Sequence, residues 1–200
     1  MTANRRGLVI GLFAAPWLAA CDKLGLGGPP AFKSTDITGA EFARRLDLPD
    51  ADGTARSLAD WKGKVTVVFF GYTHCPDVCP ATLAELAQVR SLLGADGDRL
   101  QAVFVTVDPE RDTPEVLKAY VGNFGPGVTA LRGTPEQTAA AAKEFKVYFS
   151  KVPGKVPGSY TMDHSAASFV FDRAGRVRLY VPYGSDPKIV AADIKQLAKA

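Results

Sequence analysis

Cys75 and Cys79 stand four residues apart, after a run of strand-forming residues and before a run of helix formers. A thiol pair in that setting could close a disulfide, exchange disulfides with a partner, or hold a soft metal ion. The spacing weighs these options. Residues four apart on a helical turn have Cβ atoms roughly 5–6 Å apart, whereas a relaxed disulfide wants about 3.8 Å. Two thiolates on one ion, each about 2.3 Å from it, span the wider gap. C-x-x-x-C therefore accepts a disulfide with some backbone adjustment and suits a shared soft ion better. A permanent staple is the weaker reading, because so short a loop restricts the unfolded chain little.

The flanking residues say what must position the sulfurs. Val65-Thr66-Val67-Val68-Phe69-Phe70, closed by Gly71, reads as a strand buried on both faces of a sheet. Pro80 then leads into a helix over Ala81 to Leu93 that ends near Gly94. Open α/β sheets place ligands at such strand-to-helix junctions. A helix N-terminus also favours thiolate over thiol, so the pair is expected to be reactive or metal-binding.

Further along, Leu46 to Leu58 reads as an N-terminal β-hairpin turning at Asp50-Ala51-Asp52-Gly53, and Trp61 as a packing residue. Ala102 to Val107 is a second buried strand. Thr113-Pro114 and Thr134-Pro135 each match an N-cap followed by proline, predicting helices to about Phe124 and Phe145 with a short strand at Thr129-Ala130-Leu131 between them. Lys151 to Gly158 reads as a loop, Ala167 to Val181 as a hairpin turning at Arg173-Ala174-Gly175, and Asp186 to Lys199 as a last helix. The fold class is α/β, a central mixed β-sheet flanked by helices.

Residues 1–21 read as a targeting segment. Arg5-Arg6 precede an apolar stretch, Gly7 to Ala15, too short to span a bilayer comfortably. Leu18-Ala19-Ala20-Cys21 follows and resembles the bacterial lipobox, in which the cysteine is lipidated; an uncleaved signal anchor is the alternative. Asn4-Arg5-Arg6 loosely matches a twin-arginine signal. Either way the chain is expected to leave the cytoplasm and stay tethered to a bacterial cell membrane, facing the periplasm or exterior. Residues 22–39, rich in glycine and proline over Leu24 to Lys33, are expected to be a linker, and residues 40–200 one domain. Formal net charge is +3, and Arg5 and Arg6 supply two of those positive charges. No basic run or aromatic-interleaved patch suggests a nucleic-acid partner.

The element order, with a cysteine pair after the first central strand, resembles the thioredoxin-like fold. Phe70-Gly71-Tyr72-Thr73-His74-Cys75-Pro76-Asp77-Val78-Cys79-Pro80, Val107-Asp108-Pro109-Glu110-Arg111-Asp112-Thr113-Pro114 and Asp163-His164-Ser165 resemble three ordered blocks of the SCO/SenC family of copper proteins. The resemblance covers roughly residues 40–198 and implies copper, as Cu(I) or Cu(II), on Cys75, Cys79 and His164. It also implies a role delivering copper to, or reducing the cysteines of, the copper centre of cytochrome c oxidase during assembly. The partner would be the copper-bearing subunit of that oxidase or another copper chaperone.

The residues add to the resemblance. Thioredoxin-like oxidoreductases place a cis-proline before the strand facing the cysteines; here Tyr160 to Ala166 contains no proline and carries an imidazole instead. His74 competes with His164 for the ligand role. Two thiolates and one imidazole select Cu(I), tolerate Cu(II) and exclude magnesium or calcium, while a closed zinc site usually wants a fourth protein ligand. Asp77, Asp108 and Asp163 could orient the ligands, or simply cap and solvate. The rival function is a metal-independent thiol–disulfide oxidoreductase using Cys75 and Cys79 alone. A peroxiredoxin-type peroxidase expects threonine three residues before its cysteine, where Tyr72 and Pro76 stand. A redox-inert scaffold module does not call for this pair.

Overall fold

The strand that the sequence marks most plainly, β4 (Val65–Gly71), is buried along all seven residues. It lies inside a six-stranded sheet of order β1-β10-β9-β4-β5-β6 in this computed structural model, which describes residues 31–199. Its neighbours are β5 (Leu100–Thr106), parallel with Phe69 opposite Phe104, and β9 (Ser168–Phe171), antiparallel with Val68 opposite Phe169. The sheet is completed by β6 (Val128–Leu131), β10 (Val177–Val181) and β1 (Thr35–Asp36). A separate antiparallel pair, β2 (Asp47–Pro49) and β3 (Ala55–Ser57), forms the expected N-terminal hairpin.

Strand alternation divides the core into two faces. On one, Phe145 packs on Phe70, Phe169 and Phe171 with ring centroids 5.1, 5.3 and 6.0 Å away. On the other, Val67 and Val170 meet α1 (Val78–Leu93) and α4 (Pro187–Lys199), where Leu86, Val89 and Val190 line a shared cavity. Phe69 lies on that second face and contacts Phe104. The two proline-led helices, α2 (Pro114–Gly122) and α3 (Pro135–Glu144), begin where the sequence places them. Thr113 accepts from the Val116 amide, and Thr134 forms a capping box with Gln137.

Three expectations change. The first helix starts at Val78 rather than Ala81, which puts Cys79 inside its first turn. Pro80 is tolerated there because amides in a first turn have no intrahelical acceptor. Lys151 to Gly158, expected as a loop, contributes to a second hairpin of β7 (Phe149–Pro153) and β8 (Tyr160–His164). Its turn is closed by the Gly154 amide on Ser159 O and the Ser159 amide on Val156 O, with Gly158 at φ +82°. Finally, the stretch expected as linker already holds β1, and the folded unit begins at Phe32. Asp193 accepts from the Lys33 and Ser34 amides, fastening this segment to α4. Cys21 and the leader lie outside the described residues. Among the described residues no helix is long and apolar enough to cross a membrane.

Candidate metal centre

Two adjoining elements supply the sulfurs, and a third, 85 residues further along the chain, supplies the imidazole. Cys75 sits in the turn after β4, Cys79 in the first turn of α1, and His164 at the end of β8. Their ligand atoms all lie within 4.8 Å of one another. The Cys79 sulfur is 3.5 Å from His164 Nε2, and the Cys79 amide donates to the Cys75 sulfur at 3.4 Å. Both cysteines are free thiols.

The imidazole is oriented by its other nitrogen. His164 Nδ1 is 3.0 Å from the Ser165 carbonyl oxygen. A carbonyl only accepts, so Nδ1 carries the proton and Nε2 presents a lone pair toward the sulfurs, the usual arrangement behind a metal-ligating histidine. The ring stands edge-on to Tyr72 and Phe69, with centroids 5.9 and 6.0 Å away. Burial lowers the His164 pKa below its ordinary value, against an opposing push from the Ser165 carbonyl. The ring is therefore neutral at neutral pH, as a ligand must be.

Cys79 departs from the expectation of a helix-stabilised thiolate. It is fully buried, and that burial pushes its thiol pKa well up, outweighing the opposing hydrogen bond with the Tyr72 main chain. Desolvation wins over the helix terminus, so a thiolate here needs a partner cation.

Close approach depends on Gly71. A Cβ built there would lie 2.8 Å from the Cys79 sulfur and 2.8 and 2.9 Å from the rings of Phe104 and Phe69. The missing side chain is what lets the first turn of α1 reach the strand.

The other candidates from the sequence fall elsewhere. His74 is exposed, lies 3.1 Å from the Thr73 hydroxyl, and is not in the cluster. Asp77 and Asp163 are exposed. Asp108 is buried and binds Arg111 and Tyr160. The residue that sequence reasoning missed is Asp112. Fully buried, it accepts from the Thr73 amide and hydroxyl and from the Thr106 hydroxyl, tying the cysteine turn to the end of β5. Its place in the block Val107 to Pro114 marks it as part of the resemblance but gives it no role. Asp112→Ala is expected to strand these donors and cost about 2 kcal/mol of stability, read from urea unfolding of the metal-free chain.

Comparison with known proteins gives this geometry its relatives. The chain is 41% identical over 132 residues to mouse "Protein SCO2 homolog, mitochondrial", covering 65% of this chain and 52% of that protein. It thus spans about half the length of such curated relatives. Bradyrhizobium japonicum ScoI, solved with copper bound, is 43% identical with a TM-score of 0.69, covering 76% of this chain and 97% of that one. Yeast Sco1 with copper bound is 34% identical with a TM-score of 0.70, covering 78% and 87%. These neighbours share the thioredoxin-like architecture that the sequence resemblance implies. The SCO1/SenC family model matches residues 34–199, nearly the whole folded unit, and the chain belongs to that family.

Proposed function

We propose that this chain is a copper-binding protein of cytochrome c oxidase assembly, with Cys75, Cys79 and His164 holding copper as cargo. The observation that carries this reading is the convergence of two thiols and one imidazole within 4.8 Å. That donor set suits Cu(I), and family membership and the copper-bound relatives support the same ion. Binding releases the Cys79 proton, because its thiol is protonated at neutral pH, while the neutral Nε2 of His164 needs no deprotonation. Cys75 is only half-buried, so a recipient's ligand can approach from its side before the donor's ligands leave. The recipient in this reading is the copper-bearing subunit of the oxidase or another copper chaperone. The chain would work outside the cytoplasm, held to the membrane by a lipid on Cys21.

The same two free thiols could reduce a partner's disulfide by exchange, a metal-independent role that does not use His164. His164→Ala separates the roles. Copper delivery predicts loss of the oxidase copper centre in cells carrying the variant, with thiol exchange by the purified protein near wild-type rate. Full oxidase assembly in that strain contradicts delivery and favours thiol exchange.

A further inference from the structure

The β7–β8 hairpin that carries His164 pairs with no other strand among the described residues. A two-stranded hairpin alone is marginally stable in water, so its docking contacts decide where the imidazole sits. Met162, midway along β8, is buried in the core, and a second anchor lies at the end remote from His164. Arg111, in the loop between β5 and α2, lays its guanidinium carbon 3.7 Å from the centre of the Tyr160 ring. Its Nη1 donates to the Tyr160 carbonyl at 2.9 Å. Its Nε donates to Asp108, whose other carboxylate oxygen accepts from the Tyr160 hydroxyl at 2.9 Å.

Asp108, Arg111 and Tyr160 thus form a closed ring of contacts across the gap between hairpin and sheet. The Asp108 carboxylate is completely buried within it. Lys151 on β7 adds an ion pair to Glu110 and lies 4.8 Å from the same tyrosine ring. Arg111 also reaches to 5.8 Å from the ring of Tyr72, the residue whose ring meets His164 edge-on. Tyr160 and His164 are four apart in β8, on one face of the strand and separated by about 13 Å.

We propose that the Asp108–Arg111–Tyr160 clamp is a positioning device for the metal site, holding β7–β8 down so that His164 stays within reach of Cys75 and Cys79. The inference rests on the copper reading of that site. It assigns Arg111 a role far from the sulfurs: only a planar guanidinium can stack on the ring and serve the carbonyl and the carboxylate together. When the hairpin is docked only part of the time, apparent affinity falls by the docked fraction.

The test is Cu(I) affinity of the full chain, by chelator competition, for wild type, Tyr160→Leu, Arg111→Lys, His164→Ala and the Tyr160→Leu/His164→Ala pair. Amide exchange across β8 is measured on the same proteins. Tyr160→Leu leaves the Asp108–Arg111 ion pair in place, so the fold is not put at risk. Tyr160→Leu and Arg111→Lys are expected to bind copper about tenfold more weakly. Exchange over residues 160–164 should be faster, with protection in β4 and β5 unchanged. Adding Tyr160→Leu to His164→Ala should change copper affinity no further, since the clamp acts only through the imidazole. Wild-type affinity in Tyr160→Leu, or an equal loss in both backgrounds, overturns the clamp while leaving the copper reading intact. Wild-type affinity in His164→Ala overturns the copper reading and the clamp with it.

Discussion

His164→Ala is expected to weaken Cu(I) binding at least about 100-fold while the metal-free chain still folds. Removing even an outer partner of a metal ligand typically costs 10–100-fold, and His164 is proposed as one of only three ligands. Two sulfurs would remain, and two-coordinate Cu(I) has no imidazole to complete its set. The ring lies at the end of a hairpin, only partly buried, so its loss should cost the apo fold no more than about 1–2 kcal/mol. Chelator competition and thermal unfolding of the two proteins check both statements. The pH dependence adds a sign. Burial raises the Cys79 pKa, so copper affinity should climb with pH around neutrality, by roughly tenfold per unit for each proton released. Burial lowers the His164 pKa, so acid competes for the imidazole only below its ordinary titration range. The neutral-pH slope should therefore survive in His164→Ala and be reduced in Cys79→Ser.

Gly71→Ala is expected to damage both the fold and the metal site through a single added methyl group. Its backbone is ordinary strand, so strain is not the cause; space is. The new carbon would sit 2.8 Å from the Cys79 sulfur and from Phe104, and 2.9 Å from Phe69. All three walls are fully buried and have nowhere to retreat. Overpacking of this kind costs about 1–3 kcal/mol, occasionally more, which corresponds to a fall in Tm of roughly 2–12 °C for a domain of this size. The strand is held on both sides by β5 and β9, so the first turn of α1 is the element that gives way, taking Cys79 from His164. A melting curve without metal and a copper competition assay should both move. A variant with wild-type stability and affinity would mean that α1 approaches the sheet less closely than the geometry indicates.

What the sequence could convey was local. The run of apolar and β-branched residues Val65–Phe70, the Thr-Pro caps at 113 and 134 and the turn at Gly175 are each readable within a few residues, and each marks a real element. The cysteine pair and His164 were legible as chemistry, and through the family resemblance as a set. Their convergence is a tertiary fact. The β7–β8 hairpin hid behind two prolines and two glycines, because it closes through its own turn and a clamp on Arg111 rather than through a sheet neighbour. The role of Asp112 was silent because its partners, Thr73 and Thr106, come from the ends of two other strands. The elevated Cys79 pKa was invisible for a similar reason. A helix terminus can be read from sequence, whereas complete burial against Phe69 and Phe104 cannot.

Copper K-edge X-ray absorption of the Cu(I)-loaded protein, beside the loaded His164→Ala variant, tests the central claim most directly. Two sulfur scatterers with one imidazole nitrogen in the wild type, and loss of the imidazole signature in the variant, are the predicted result. Identical sulfur-only shells in both proteins would contradict it, leaving His164 a packed histidine beside a plain dithiol.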